Sequence, residues 1–134
     1  MALKESIYGL KKQVDLSYDD AIAAVKETLK AEGFGVLTEI DVKQTMKKKL
    51  DKAFTNYIIL GACNPHLAFE ALSNEIDIGL LLPCNVVVYE TPEDKKVVVA
   101  AIDPGAMIKV TERSDLDDFA SSVKERLVRA IEAV

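Results

Sequence analysis

Asn85-Val86-Val87-Val88-Tyr89-Glu90-Thr91-Pro92-Glu93-Asp94-Lys95-Lys96-Val97-Val98-Val99-Ala100-Ala101-Ile102 is the stretch that decides the fold. Two runs rich in β-branched residues flank a short polar loop that carries a proline. That is the pattern of two antiparallel strands joined by a hairpin. The spacing predicts strands over 85–90 and 96–102 with Tyr89 pairing near Val97, which sets Cys84 close to Ile102 and Asp103.

The neighbouring segments extend this sheet. Upstream, Phe54 to Cys63 is rich in aromatic and β-branched residues and reads as a strand. Asn64-Pro65 then opens a helix, with Asn at the N-cap and Pro in the first turn, and Leu67, Ala68, Ala71 and Leu72 mark its apolar face. Downstream, Asp103-Pro104-Gly105 breaks the last strand, and Ser114 is expected to cap a long final helix. Leu116, Phe119, Ala120, Val123, Leu127, Ala130 and Ile131 form the stripe of that helix. Nearer the start, Ser6 to Val14 and Phe34 to Ile40 read as strands. Between them Ser17 caps a helix with an apolar stripe at Tyr18, Ala21, Ile22, Val25 and Leu29, and Gly33 suits its left-handed end. Asp41 to Leu50 reads as a short helix, with Val42, Met46 and Leu50 four residues apart.

Short connections favour antiparallel neighbours, and two long amphipathic helices can cover one face of such a sheet. The expected fold class is therefore α+β, a β-α-β4-α arrangement with short helical insertions, in one domain over residues 1–134. A chain of 134 residues is large enough to bury its own core without disulfide staples. Two cysteines are too few for a secreted disulfide scaffold and point to a reduced, cytoplasmic pair. The net charge of −5 gives no reason to expect nucleic acid. The longest apolar stretches, Ile58–Cys63 and Ile78–Cys84, fall far short of a membrane span, and the N-terminal residues lack an apolar signal core.

The residues with the most chemistry gather in two segments, Gly61-Ala62-Cys63-Asn64-Pro65-His66 and Leu81-Leu82-Pro83-Cys84-Asn85. They contain both cysteines and the only histidine. If the strand that ends at Cys63 neighbours the strand that begins after Cys84, both cysteines lie at one end of the sheet, beside Asp103. Cys63 also precedes a helix start, whose unpaired N–H groups favour a thiolate. Three readings stay open. Cys63 and Cys84 could serve thiol-dependent redox or sulfur-handling chemistry. They could merely pack, as free cysteines often do, beside a site for a small ligand or partner drawing on Asn64, His66, Asn85 and Asp103. Or Cys63, His66 and Cys84 could hold a metal, although the spacing matches no familiar zinc pattern. No glycine pattern for phosphates or dinucleotides occurs. The lysines Lys43, Lys47, Lys48, Lys49 and Lys52 read as a solvated helix face. No reaction, substrate or cofactor follows from these residues.

Taken together, Ile59-Leu60-Gly61-Ala62-Cys63-Asn64-Pro65, Ile78-Gly79-Leu80-Leu81-Leu82-Pro83-Cys84-Asn85-Val86-Val87-Val88-Tyr89 and Ala101-Ile102-Asp103-Pro104 resemble the domain-of-unknown-function family 302. The resemblance runs across nearly the whole chain. It implies the same β-α-β4-α arrangement, similar to the TATA-binding-protein class of antiparallel sheets, and is in keeping with a homodimer. It supplies no activity. Cys63-Asn64-Pro65 and Pro83-Cys84 match the family pattern, and His66 is not relied on as part of it.

Overall fold

The computed structural model describes residues 2–134. The elements are β1 (Lys4–Glu5), β2 (Gly9–Val14), α1 (Tyr18–Ala31), β3 (Gly35–Asp41), α2 (Val42–Leu50), β4 (Tyr57–Cys63) and α3 (Pro65–Asn74). After a 3-10 segment (Ile76–Leu81) come β5 (Cys84–Glu90), β6 (Val97–Ile102), α4 (Pro104–Lys109), a 3-10 turn (Ser114–Leu116) and α5 (Asp117–Glu132). The strands form one antiparallel sheet in the order β1-β2-β6-β5-β4-β3. This is the expected α+β architecture, with the two-residue strand β1 added at one edge.

Local chemistry fixes the helix ends as the sequence suggests. The Asp20 N–H donates to the Ser17 hydroxyl at 3.1 Å, and Gly33 leaves α1 at φ +87°, where a side chain would be strained. Asn64 caps α3, its Oδ1 accepting from the Leu67 N–H at 3.2 Å, with Pro65 in the first turn. The same Asx-Pro device recurs at Asp103-Pro104. It does not simply break the sheet but starts α4, the Gly105 N–H donating to Asp103 at 2.9 Å. Ser114 does not cap α5: it opens the 3-10 turn without a side-chain cap bond, and α5 starts at Asp117.

The helices α1 and α5 lie on one face of the sheet. Ala21, Val25 and Leu29 from α1 and Val123, Leu127, Ala130 and Ile131 from α5 meet Leu10, Leu60, Val86, Val88, Val99 and Ala101. Each large aliphatic side chain buried here contributes about 1.5–3 kcal/mol. Lys12 reaches along the same side, its Nζ donating to the carbonyls of Glu132 and Val134 at 2.9 and 2.7 Å, where the negative end of α5 favours a cation. On the opposite face, Tyr57, Ile59, Val87, Tyr89 and Ala100 are only half-buried, and Tyr57 stacks on Tyr89 with centroids 5.3 Å apart. Helix α2 buries none of its residues.

Register decides which side chains meet. Tyr89 pairs with Val98, one residue from the expected Val97, because Thr91 and Lys96 still hydrogen-bond and Lys95 turns the chain at φ +56°. On β4, Gly61 sits between Thr38 of β3 and the ring of Pro83, which follows a cis peptide bond. A Cβ at Gly61 would stand against Thr38 Oγ1 and 2.9 Å from Pro83 Cγ. The β3 edge carries a bulge between Val36 and Thr38 that leaves Leu37 68% exposed. Gly61→Ala should therefore cost roughly 1–3 kcal/mol by overpacking, read as a lower urea midpoint, with partial recovery when Thr38→Ala is added. An unchanged midpoint would show that this junction is not tightly closed.

Candidate functional site

The pairing of β4 with β5 brings the two cysteine segments together. Ala62 lies opposite Cys84, and Cys63 is the next residue along β4. Both thiols are free, Cys84 buried and Cys63 half-buried. Strand alternation sends Ala62 and Cys84 toward the helices, and both are nearly sealed off. At this end of the sheet α1 has already turned away through Gly33-Phe34, and α3 leaves at Asn64.

The gap left behind is a cavity of about 300 Å³, walled almost entirely by apolar groups. Phe34, Leu37 and Thr38 line it from the start of β3. Ala62, Cys63 and Asn64 come from β4 and its exit, and Leu67, Ala68 and Leu72 from α3. Gly79, Leu82, Pro83 and Cys84 come from the second cysteine segment, and Phe119 and Val123 from α5. Among the residues singled out from sequence, Cys63, Cys84 and Asn64 line this cavity. His66 sits exposed on the first turn of α3 and is absent from the lining. Asn85 points to the opposite face of the sheet, with Tyr8, Tyr57 and Val87. Asp103 is drawn to α5 instead, where Lys124 Nζ lies 3.3 Å from its carboxylate and 3.2 Å from Glu5. It lines a separate surface depression with Ile7 and Ser121.

The lining residues Phe34, Leu67, Phe119 and Val123 carry no chemical signal in sequence beyond their place on apolar stripes. Only the packing of three separate segments, the entry to β3, α3 and α5, makes them one wall. Among the described residues no group of three or more His, Cys, Asp or Glu side chains is placed to hold a metal ion. Nor is any helix among the described residues long and apolar enough to cross a membrane.

Burial, together with the neighbouring Cys63, pushes the Cys84 thiol from its ordinary 9.0 up to about 11. The thiolate is the nucleophilic form, so Cys84 is held inert at neutral pH. Below about pH 8, a unit under its ordinary value, this thiol is largely protonated in both folded and unfolded chains. Between pH 9 and 11 the unfolded thiol ionises while the folded one keeps its proton, so stability should fall, by up to ~3 kcal/mol over the two-unit gap. Urea unfolding from pH 8 to 11 should show this decline in the wild type and a shallower one in Cys84→Ala. Equal slopes would mean that Cys84 is not protected by burial.

The family described as Domain of unknown function DUF302 matches residues 10–134. A crystal structure of an uncharacterized conserved DUF302 protein from Bacillus stearothermophilus is similar at a TM-score of 0.88 and 26% identity, over 96% of this chain and 98% of that one. No curated protein matches the sequence. The matched span takes in both cysteine segments, the strands that pair them and the helices that wall the cavity, and the chain belongs to the DUF302 family.

Proposed function

We propose that this protein binds a small apolar molecule in the cavity at the two cysteine segments. The observation that carries this reading is the cavity itself: about 300 Å³ of apolar-walled space at the end of an otherwise filled core. Native cores close-pack, and sites for small ligands are concave, mostly apolar and furnished with a few polar groups. At ~30 Å³ per non-hydrogen atom, the share of liquid volume taken by a water molecule, the space holds roughly ten atoms. Cys63 and Asn64 are its polar furnishings. The burial of Cys84 weighs against a redox cycle that shares electrons between two ready thiols. The exposure of His66, set against the burial of Cys84, weighs against a metal held by both. Ala68, on the α3 wall, gives a test. n-Octanol should raise the melting temperature of the wild type, and Ala68→Phe, which fills the space, should abolish that rise. No rise in the wild type would sink the reading.

We further propose that the protein pairs with a second copy through the open face of its sheet. Tyr57, Ile59, Val87, Tyr89, Val98 and Ala100 make this face apolar across three adjacent strands, and Tyr8, 69% exposed, extends it at one end. Strand spacing and rise give these three strands an apolar patch of roughly 15 by 20 Å, the centre of an interface that in stable pairs covers ~800 Å² per partner. A two-fold axis lets one such face meet its own copy. Light scattering should give twice 14.7 kDa for the wild type and 14.7 kDa for Val87→Lys, placed at the centre of the face. A monomeric wild type would overturn the pairing.

A further inference from the structure

The cavity has a polar corner. Asn64 is only 9% exposed, and its Oδ1 is committed to the cap of α3. Its Nδ2 donates to no acceptor among the described residues, yet it is not sealed off from a small molecule. Gly33 makes the room for it: a Cβ there would stand 2.8 Å from Asn64 Nδ2 and 3.9 Å from Arg126 Nη1. The missing side chain of one glycine thus lets an amide donor and a guanidinium converge.

Arg126 reaches this corner along α5. Phe119, Val123 and Arg126 follow one another at i, i+4 and i+7, so they share a helix face. The first two line the cavity, and the third stands beyond them, beside Gly33. Its Nη1 donates to the Glu32 carbonyl at 3.3 Å. It pairs with no carboxylate among the described residues, because the Glu32 carboxylate is taken by Arg129 at 2.8 Å. The start of α3, just past Asn64, adds the positive end of a ten-residue helix. In a chain of net charge −5, an unpaired guanidinium, an unpaired amide donor and a helix N-terminus lie together beside an apolar space.

Building on the small-molecule reading of the cavity, we infer that its ligand is an amphiphilic monoanion, a straight-chain carboxylate of about eight carbons. The tail occupies the apolar space between Phe119, Leu72 and Leu82. The carboxylate accepts from Asn64 Nδ2 and from the free guanidinium nitrogens of Arg126, which suit a carboxylate's two oxygens. A corner of donors without an acceptor selects the anion over a neutral amide, because the carboxylate brings two charged acceptor oxygens whereas the amide brings one neutral acceptor and an NH2 that finds no partner.

Octanoate and octanamide have the same size and differ in the charge of the head group. Calorimetric titration of the wild type should show octanoate binding about tenfold more tightly. Arg126→Gln should abolish that preference by weakening octanoate far more than octanamide. Asn64→Asp keeps the α3 cap, since its carboxylate still accepts from Leu67, but replaces the donor with a negative charge. It should weaken octanoate far more than octanamide and so reverse the preference. Equal affinity of the two ligands for the wild type, or a preference that survives in Arg126→Gln, would overturn the assignment of the head group while the apolar cavity reading stands. If neither ligand binds the wild type, the cavity reading falls and takes this inference with it.

Discussion

The site depends on the register of β4 against β5. With Ala62 opposite Cys84, the residues Ile58, Leu60 and Ala62 face the helices together with Val86, Val88 and Cys84. A slip of one residue would turn one of these sets toward the open face and expose side chains that are now fully buried. The apolar pattern of both strands therefore holds the register, and the register holds the two cysteine segments side by side. Gly61 adds a steric key at the same place, since only a residue without a side chain passes between Thr38 and Pro83.

From this end of the sheet outward, packing thins in an ordered way. The middle of the sheet is filled by α1 and α5. Where α1 ends at Gly33, nothing of equal bulk replaces it, and α3 approaches from the other side through the capped turn at Asn64. A cavity in this position is the space between helices that part. Its polar corner arises from the same parting, because the glycine that ends α1 is also the residue that leaves room for the Asn64 amide.

Much of the fold could be read from the chain because it rests on local signals. The Ser17 cap, the stripe Ala21-Val25-Leu29, the Asn64-Pro65 start and the Val-rich hairpin each state their structure within a few residues. What escaped depends on conformations that no single residue announces. The left-handed turn at Lys95, which closes the hairpin with Tyr89 against Val98, is one that a lysine does not advertise. Asp103-Pro104 has the same pattern as Asn64-Pro65 yet reads in sequence only as a strand break; in the fold it opens α4, and Lys124 draws Asp103 away from the cysteines. The 3-10 segment Ile76–Leu81 reads in sequence only as part of an apolar run. The convergence of Arg126 on Asn64 joins residues 62 positions apart through a glycine 31 positions before the asparagine, and no spacing rule reaches that far.

The two edges of the sheet bear on how the molecule behaves in a crowd. One edge is β1, two residues long. The other is β3, interrupted by its bulge at Leu37 and carrying Glu39 and Asp41. Neither offers a long, straight, neutral row of backbone groups for another strand to extend. Strand-by-strand growth is discouraged at both ends, and, Ile7 apart, the most exposed apolar side chains, Phe69, Ile76, Leu80 and Val110, lie on or next to the helical segments and not on a sheet edge. Even at high protein concentration, edges of this kind give fibrils no template to grow from.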